Sequence, residues 1–522
     1  MKLKNNRATK VLGFLRNWRM QIFSSCIYIV GAAILLVLAK QNLGRSLFIF
    51  FILTAWLINV FRSKTLLFAN VLLIIAVFPF NITIQLSEYF LGFELANFQV
   101  AGVRIDSLIP VISILDLAFG ITVTSFFVEH NPIFQLKKLL KSKWLWVGIM
   151  TYYIAHNLYF LDWLVFVNSS RMLLVAVLGY LAAVNWEYFR HTFTAKRVGY
   201  VRLLIVMNIF VQLLISISQF VYGRSVGLHW LGESSLVKGF YGTSWMTLGG
   251  RVYLRAYGSF PHPNVLGGFL SLTLIYALSA SWVRLRQRSK RGFIIHLLTS
   301  GLLTLNILLT FSRTAISIAA VIWGLFIIGT VFDIRKIIRV YKAKRLEKRV
   351  KKRSTKKVSS IFGLSLIFER FKQLLTAEKV SWTDRVKLAK TAMIIILEYP
   401  LFGVGTGKFI QYIGKNVAVT SGGHYLFEPV HNIFLLLLAE HGVIFGGMMV
   451  LTILGLLVGT LRKTFDLIYE KPVLVFCQIC IAIWFLLISN VDHYLLTLPQ
   501  GIAMLGVFVL FEAAFLRIRP RI

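Results

Sequence analysis

Long apolar runs alternate along this chain with short polar interruptions in which lysine and arginine predominate. An apolar run of about 20 residues makes a helix that crosses the roughly 30 Å hydrocarbon core of a bilayer. Thirteen runs fit that reading: 21–39, 46–61, 65–86, 107–128, 144–161, 164–186, 203–222, 265–283, 293–311, 314–332, 432–458, 473–491 and 501–516. The pattern predicts an all-α, polytopic transmembrane helix bundle.

Parity adds one more crossing. The basic N-terminal segment belongs in the cytoplasm, because lysines and arginines resist translocation. Alternation then puts the basic loops 137–143, 190–202 and 284–291 inside, and the segments 88–106 and 223–264 outside. Thirteen spans would strand the basic tail Arg517, Arg519 and Arg521 outside. A fourteenth span is therefore expected at the short apolar run 358–368, after the strongly basic stretch 335–357, with flanking cations snorkelling to the interface. This gives about 14 spans, two large outer loops (223–264 and, after the short span, the segment up to 430), a basic cytoplasmic loop 333–357, and helical blocks at 1–222, 265–332 and 431–522.

Composition narrows the function classes. Of 522 residues 57% are hydrophobic and 15% charged, and the mean hydropathy is +0.74, which excludes a water-soluble enzyme. The formal charge of +37 does not point to nucleic acid, because the cations cluster between spans as cytoplasmic loops do. Cys26, Cys477 and Cys480 all lie in apolar runs. The C-x-x-C pair lacks the further donors of a four-ligand metal site, so packing is the simpler reading.

Several polar residues call for a partner or a function, because isolated charges at membrane depth are costly. Asp116 is expected to bond a hydroxyl on a neighbouring helix. Glu440 lies too far along a helix from His431 for direct contact. The segment Leu254 to Asn264, with Pro261, His262 and Pro263, is too rich in proline for helix and reads as a stiff return into the membrane. Arg313 is pinned at the membrane surface between two apolar helices, as an anion ligand or a snorkelling anchor. Residues 381–398, with Asp384 and Arg385 followed by an apolar run, read as an interfacial amphipathic helix. Gly403, Gly405 and Gly407 expose backbone N–H groups that can cradle an anion. His424, Glu428, His431 and Asn432 close the second outer segment, with His431 and Asn432 opening the next helix, where a neutral imidazole suits a general base.

At these residues the sequence resembles the O-antigen ligase and O-antigen polymerase superfamily. The resemblance rests on R-A-Y-G-S-F-P-H-P-N (Arg255 to Asn264), S-R-T-A (Ser312 to Ala315), P-L-F-G-V-G-T-G (Pro400 to Gly407), and H-N with E-H-G (His431, Asn432; Glu440 to Gly442). Phe445 stands where the ligase pattern asks for a small residue or tyrosine, with Gly446 one position later. This departure favours the polymerase branch. The resemblance implies transfer of a glycan from a polyprenyl (undecaprenyl) diphosphate to an acceptor hydroxyl at the outer face of a bacterial cytoplasmic membrane. His431 is then the expected base, and Arg255 and Arg313 the groups that meet the diphosphate. Arg385, Asn432, His262, Gly405, Gly407 and Asp492 are expected to bind substrate, with Asp492 and His493 also candidates to orient His431. No D-x-D cluster calls for a metal, and no cofactor is expected. The partners are the lipid-linked donor, a glycan or lipid-linked acceptor, and membrane lipids. Competing classes are a lipid or glycan transporter, for which no internal repeat speaks, and a scaffold whose basic loop binds anionic lipid.

Overall fold

The computed structural model describes residues 17–33, 35, 43–85, 99–100, 103–104, 108–129, 143–237, 243–248, 251–345, 383–416, 420–421 and 424–518. The fold is an integral, multi-pass helix bundle, with nine helices long and apolar enough to cross a membrane among the described residues. In chain order the helices are α1 (17–33), α2 (Leu43–Ser63), α3 (Leu66–Val77), α4 (Ile114–Glu129), α5 (Lys143–Phe160), α6 (Trp163–Val184), α7 (Trp186–Thr192), α8 (Ala195–Tyr222), α9 (Pro263–Arg286), α10 (Lys290–Thr310), α11 (Arg313–Arg345), α12 (383–398), α13 (Phe409–Asn416), α14 (Ile433–Leu467), α15 (Pro472–Val491), α16 (Tyr494–Thr497) and α17 (Pro499–Leu516). Each of the thirteen apolar runs holds a helix; the proposed span at 358–368 lies outside the described residues. The only strands described form four short antiparallel pairs, three of them hairpins such as Trp245–Leu248 with Arg251–Leu254, and one joining Thr83–Gln85 to Val111–Ser113.

Helix starts are set by local chemistry. Asp162 caps α6 by accepting the Leu164 and Val165 N–H groups, and Asn432 caps α14 by accepting those of Phe434 and Leu435. Proline opens α9, α15 and α17, where its missing N–H would have had no helical partner. The core is centred on α9, 72% of whose apolar window is buried, against α10, α11 and α15.

Polar ties fix which ends lie together. Arg197 donates to Ser63 O, Lys463 to Leu516 O and Arg517 to Ala183 O, and Arg286 pairs with Asp333. These bonds gather the basic connections at one end of the bundle. At the opposite end, Ser259 bonds Pro79 O, Gln219 bonds Gly258 O and Asn264 bonds Asp492. Asp116 finds an arginine rather than the expected hydroxyl: Arg171 clamps it with Nε at 2.7 Å and a terminal nitrogen at 2.8 Å. Opposite charge is the stronger compensation for a carboxylate removed from water.

Helix α14 is broken at Gly442, where φ is 77° and ψ 172°. The break frees backbone groups that hydrocarbon cannot satisfy, and the glycine-rich loop 400–405 supplies their partners. Val443 N–H donates to Pro400 O at 2.7 Å, while Ala439 O and Glu440 O accept from Val404 and Gly405 at 3.0 and 3.1 Å. A Cβ on Gly442 would lie 2.3 Å from Leu401 O. We therefore expect Gly442→Ala to lower stability by more than the roughly 1–3 kcal/mol of a strained backbone alone. Gly447→Ala on the same helix, where a Cβ meets nothing within 4 Å, should be neutral or slightly stabilising; thermal unfolding of both variants in detergent checks this.

Candidate active site

The end of the bundle opposite the basic connections holds a cavity of about 680 Å³. Its walls come from the start of α9 (Pro261 to Val265), α12 (Asp384, Arg385, Leu388), the segment Leu426 to Pro429 with His431, and the bend Asp492 to Leu498 between α15 and α17. Three histidines (His262, His431, His493), three carboxylates (Asp384, Glu428, Asp492) and one arginine (Arg385) converge there. Of the residues expected from the sequence, His431, His262, Arg385 and Asp492 thus share one space.

His431 sits one residue before the Asn432 cap, so it precedes the helix rather than beginning it. Its Nε2 lies 3.1 Å from Glu428 Oε2. The hydrogen bond to His431 holds the Glu428 carboxyl down at about 2 against the opposing effect of burial, with His493 and His262 adding to the pull. An ionised carboxylate only accepts, so His431 Nε2 carries the proton toward it, and in a neutral ring Nδ1 keeps the lone pair. That Nδ1 is buried and has no hydrogen-bond partner, an acceptor still awaiting a donor. Orientation of His431 therefore comes from Glu428, not from Asp492 as the sequence suggested. Asp492 instead accepts Asn264 Nδ2 at 2.8 Å and the His493 N–H at 2.9 Å, and the His493 ring stands 5.2 Å from that of His431.

Asn264 is the hinge of a polar chain. Its Oδ1 accepts from Arg255 at 2.7 Å while its amide reaches Asp492, and Arg255 Nε donates to Thr310 O at 2.9 Å. Arg255 stands beside the cavity, not in its wall. Burial pushes its guanidinium down to about 10, and the charge of Arg313 pushes the same way while Tyr257 and Asp492 oppose. Arg313, exposed at the start of α11, is thus close enough to act on Arg255. His262 caps α9: Nδ1 accepts the Asn264 N–H at 3.2 Å and Nε2 lies 3.2 Å from Ser244 Oγ.

Three expected substrate contacts lie elsewhere. Asn432 uses its side chain for the helix cap and for Asn490, 3.1 Å away. Gly405 donates to Glu440 O, and the Gly407 and Phe409 N–H groups face the Glu440 carboxylate. The glycine loop does cradle an acidic group, but that group is the protein's own Glu440. Residues 383–398 do form a helix with two faces. Leu388, Ala392 and Ile395 enter the core while Met393, Ile394 and Leu397 remain exposed. His424 falls in a short strand whose side chains lie outside the description.

Sequence reasoning assigned no role to Asn264, and to Glu428 none in orienting His431, although Glu428 stands three residues before His431. His431, Asp492 and His493 bring one donor atom each within 4.8 Å of one another, a spacing a divalent metal can bridge. Glu428 and Thr497 already engage one ring nitrogen of His431 and His493 respectively.

Residues 264–451 match the family model Wzy_C, O-antigen ligase. The matched stretch contains Asn264, Arg313, Arg385, Gly405, Gly407, His431 and Asn432, while Arg255, His262 and Asp492 flank it. No curated protein matches the chain.

Acid should loosen this site. The His262 imidazole is pushed down to about 4, mainly by burial and then by the Arg255 charge, and burial lowers His493 as well. An unfolded histidine titrates near 6.5, so the stability linked to these neutral rings is fully present above about pH 6.5 and is lost as pH falls toward 4. The low Glu428 value extends the loss below about pH 4.5. Thermal midpoints measured from pH 8 to 5 should fall. His262→Asn, which keeps an acceptor at the cap, should flatten that slope; an identical slope in the variant refutes the assignment.

Proposed function

We propose that this chain belongs to the O-antigen ligase and polymerase superfamily and is a membrane glycosyltransferase that moves a glycan from a polyprenyl diphosphate to an acceptor hydroxyl. The observation that carries the proposal is the His431–Glu428 pair in the 680 Å³ cavity, with Arg385 in the same wall and Arg255 joined to it through Asn264. The acceptor hydroxyl donates to His431 Nδ1, and its oxygen attacks the anomeric carbon. As the anomeric carbon–oxygen bond breaks, the polyprenyl diphosphate leaves with the electron pair, while Glu428 stabilises the imidazolium that forms. Charge grows on the leaving diphosphate. Arginine forks at 385, 255 and 313 suit that charge, because they bind phosphate oxygens bidentately. His262 and Asp492 hold the walls in which the sugars lie.

The product we favour is a lengthened chain of O-antigen, capsule or exopolysaccharide repeat units, on the strength of Phe445 in place of a small residue. The description of the matched family favours a second reading, ligation to lipid A core. Mass spectrometry of the surface glycan in cells lacking the protein separates them: short chains mark a polymerase, and long unattached chains a ligase.

His431→Ala should slow single-turnover transfer by about 10²–10⁴-fold while donor binding survives. Glu428→Gln should slow it less and move the pH–rate profile. Arg385→Lys and Arg255→Lys should each impair transfer, since lysine lacks the planar fork. A folded His431→Ala protein with unchanged chemistry eliminates the mechanism, and lysine variants at wild-type turnover reduce the arginines to anchors.

The cavity end faces outward and the basic end faces the cytoplasm in this reading. The basic connections gathered at one end support it, as does the passage of the chain from Arg345 at that end to Asp384 at the cavity. Single cysteines at positions 354 and 421 should react differently with an impermeant reagent in intact cells, 421 labelling and 354 staying protected. Equal labelling overturns the topology.

A further inference from the structure

A second cavity, of about 640 Å³, opens at the basic end between α2, α3 and α8. It is lined from Arg62 and Arg197 at its mouth to Ile52, Ala76 and Met207 at its depth. Ten helical positions separate Ile52 from Arg62, and ten separate Arg197 from Met207. At 1.5 Å per residue the groove is about 15 Å deep, half of the roughly 30 Å hydrocarbon core and so one leaflet. The deep end carries no charge. The mouth carries Arg62, Lys196 and Arg197, and no carboxylate lines any part of the cavity.

The three cations differ in what they do. Arg197 is part of the frame: it donates to Thr192 O at 2.8 Å and to Ser63 O at 2.9 Å, and its guanidinium lies 5.1 Å from the Phe68 ring. Arg62 and Lys196 are exposed beside it and form no ion pair among the described residues. A groove one leaflet deep, apolar at its base and cationic at its mouth, complements a molecule with an anionic head on a long apolar chain. A free phosphate would leave the apolar wall unused, and a zwitterionic lipid would gain little from the cations.

We propose that this groove binds an anionic phospholipid of the leaflet at the basic end, its phosphate between Arg62 and Lys196 and one acyl chain along α2, α3 and α8. The site lies at the opposite end of the bundle from His431 and rests on none of the transfer chemistry. Nearby basic side chains attract an anionic lipid surface by about fivefold each, or about 30-fold for two.

Native mass spectrometry of the full chain in detergent, with phosphatidylglycerol and phosphatidylcholine of equal acyl chains added, tests the proposal. The protein should retain one phosphatidylglycerol in preference to phosphatidylcholine. The double variant Arg62→Ala, Lys196→Ala should lose about 30-fold of that preference, and Ala76→Phe, which fills the apolar wall, should reduce retention of either lipid. The control variant Lys290→Ala, Arg291→Ala, at the same end but outside the groove, should retain the preference. Equal loss in the control means a diffuse attraction to the basic end and overturns the site. Displacement of phosphatidylglycerol by a sub-stoichiometric polyprenyl phosphate overturns its assignment to a phospholipid.

Discussion

Hydrocarbon offers no hydrogen bonds, so every backbone N–H and C=O at membrane depth needs a partner from the protein. The break at Gly442 is where this constraint shapes the molecule. The first turns of α14 depart from the line of the rest of the helix, and the departure is possible only because Pro400, Val404 and Gly405 meet the freed groups. That clamp joins the loop 400–405 to α14, and the chain on either side of the loop carries Asp384, Arg385 and Glu428 to the cavity where His431 precedes the helix. The glycines on both sides of the clamp follow from it. A Cβ on Gly403 would meet Ala439 O at 2.4 Å, as one on Gly442 meets Leu401 O.

The same end of the bundle is built from side chains that do two jobs. His262 closes the first turn of α9 and faces the cavity, and Asn264 ties Arg255 to Asp492. Such sharing makes the site rigid, because each polar group is held by a neighbour with its own fixed position. It also explains why the arginines stand at different distances from the cavity. Arg385 borders it directly, while Arg255 is held back by Thr310 and Asn264. Arg313 acts on Arg255 by charge. On the proposed chemistry this is a graded field, strongest on the flank where a diphosphate would lie.

The two ends of the bundle divide the work. At the cavity end, charges of both signs face one another, and Glu428, Asp492 and Arg255 are each held by a partner. At the basic end, cations greatly outnumber acids, and those acids that are present, Glu129 and Asp333 among them, are engaged by Leu67 N–H and Tyr188 or by Arg286 and Trp282. A one-signed surface of that kind fits contact with lipid headgroups, as an interleaved one fits chemistry on a bound molecule.

The sequence by itself located a helix in each of the thirteen apolar runs, nine of them of spanning length among the described residues, because a lipid-length apolar stretch has one low-energy structure in a bilayer. It also located the stiff turn at Pro261 and Pro263, because proline removes the donors a helix needs. It did not show that the runs 65–86 and 107–128 are α-helical only over Leu66–Val77 and from Ile114, with short strands at Thr83–Gln85 and Val111–Ser113. It also marked His431, His262, Arg385 and Asp492, which the fold brings into one cavity. Partner choice was decided only by tertiary structure. Asp116 met Arg171 rather than a hydroxyl, Glu428 rather than Asp492 engaged His431, and the N–H groups of Gly405 and Gly407 turned to Glu440 rather than to a ligand. Helix formation depends on residues a few positions apart, which a sequence displays. A hydrogen bond between residues 55 or 228 positions apart, as in Arg171 with Asp116 and Asn264 with Asp492, depends on how whole helices pack, and that is settled by the summed shape of their apolar faces.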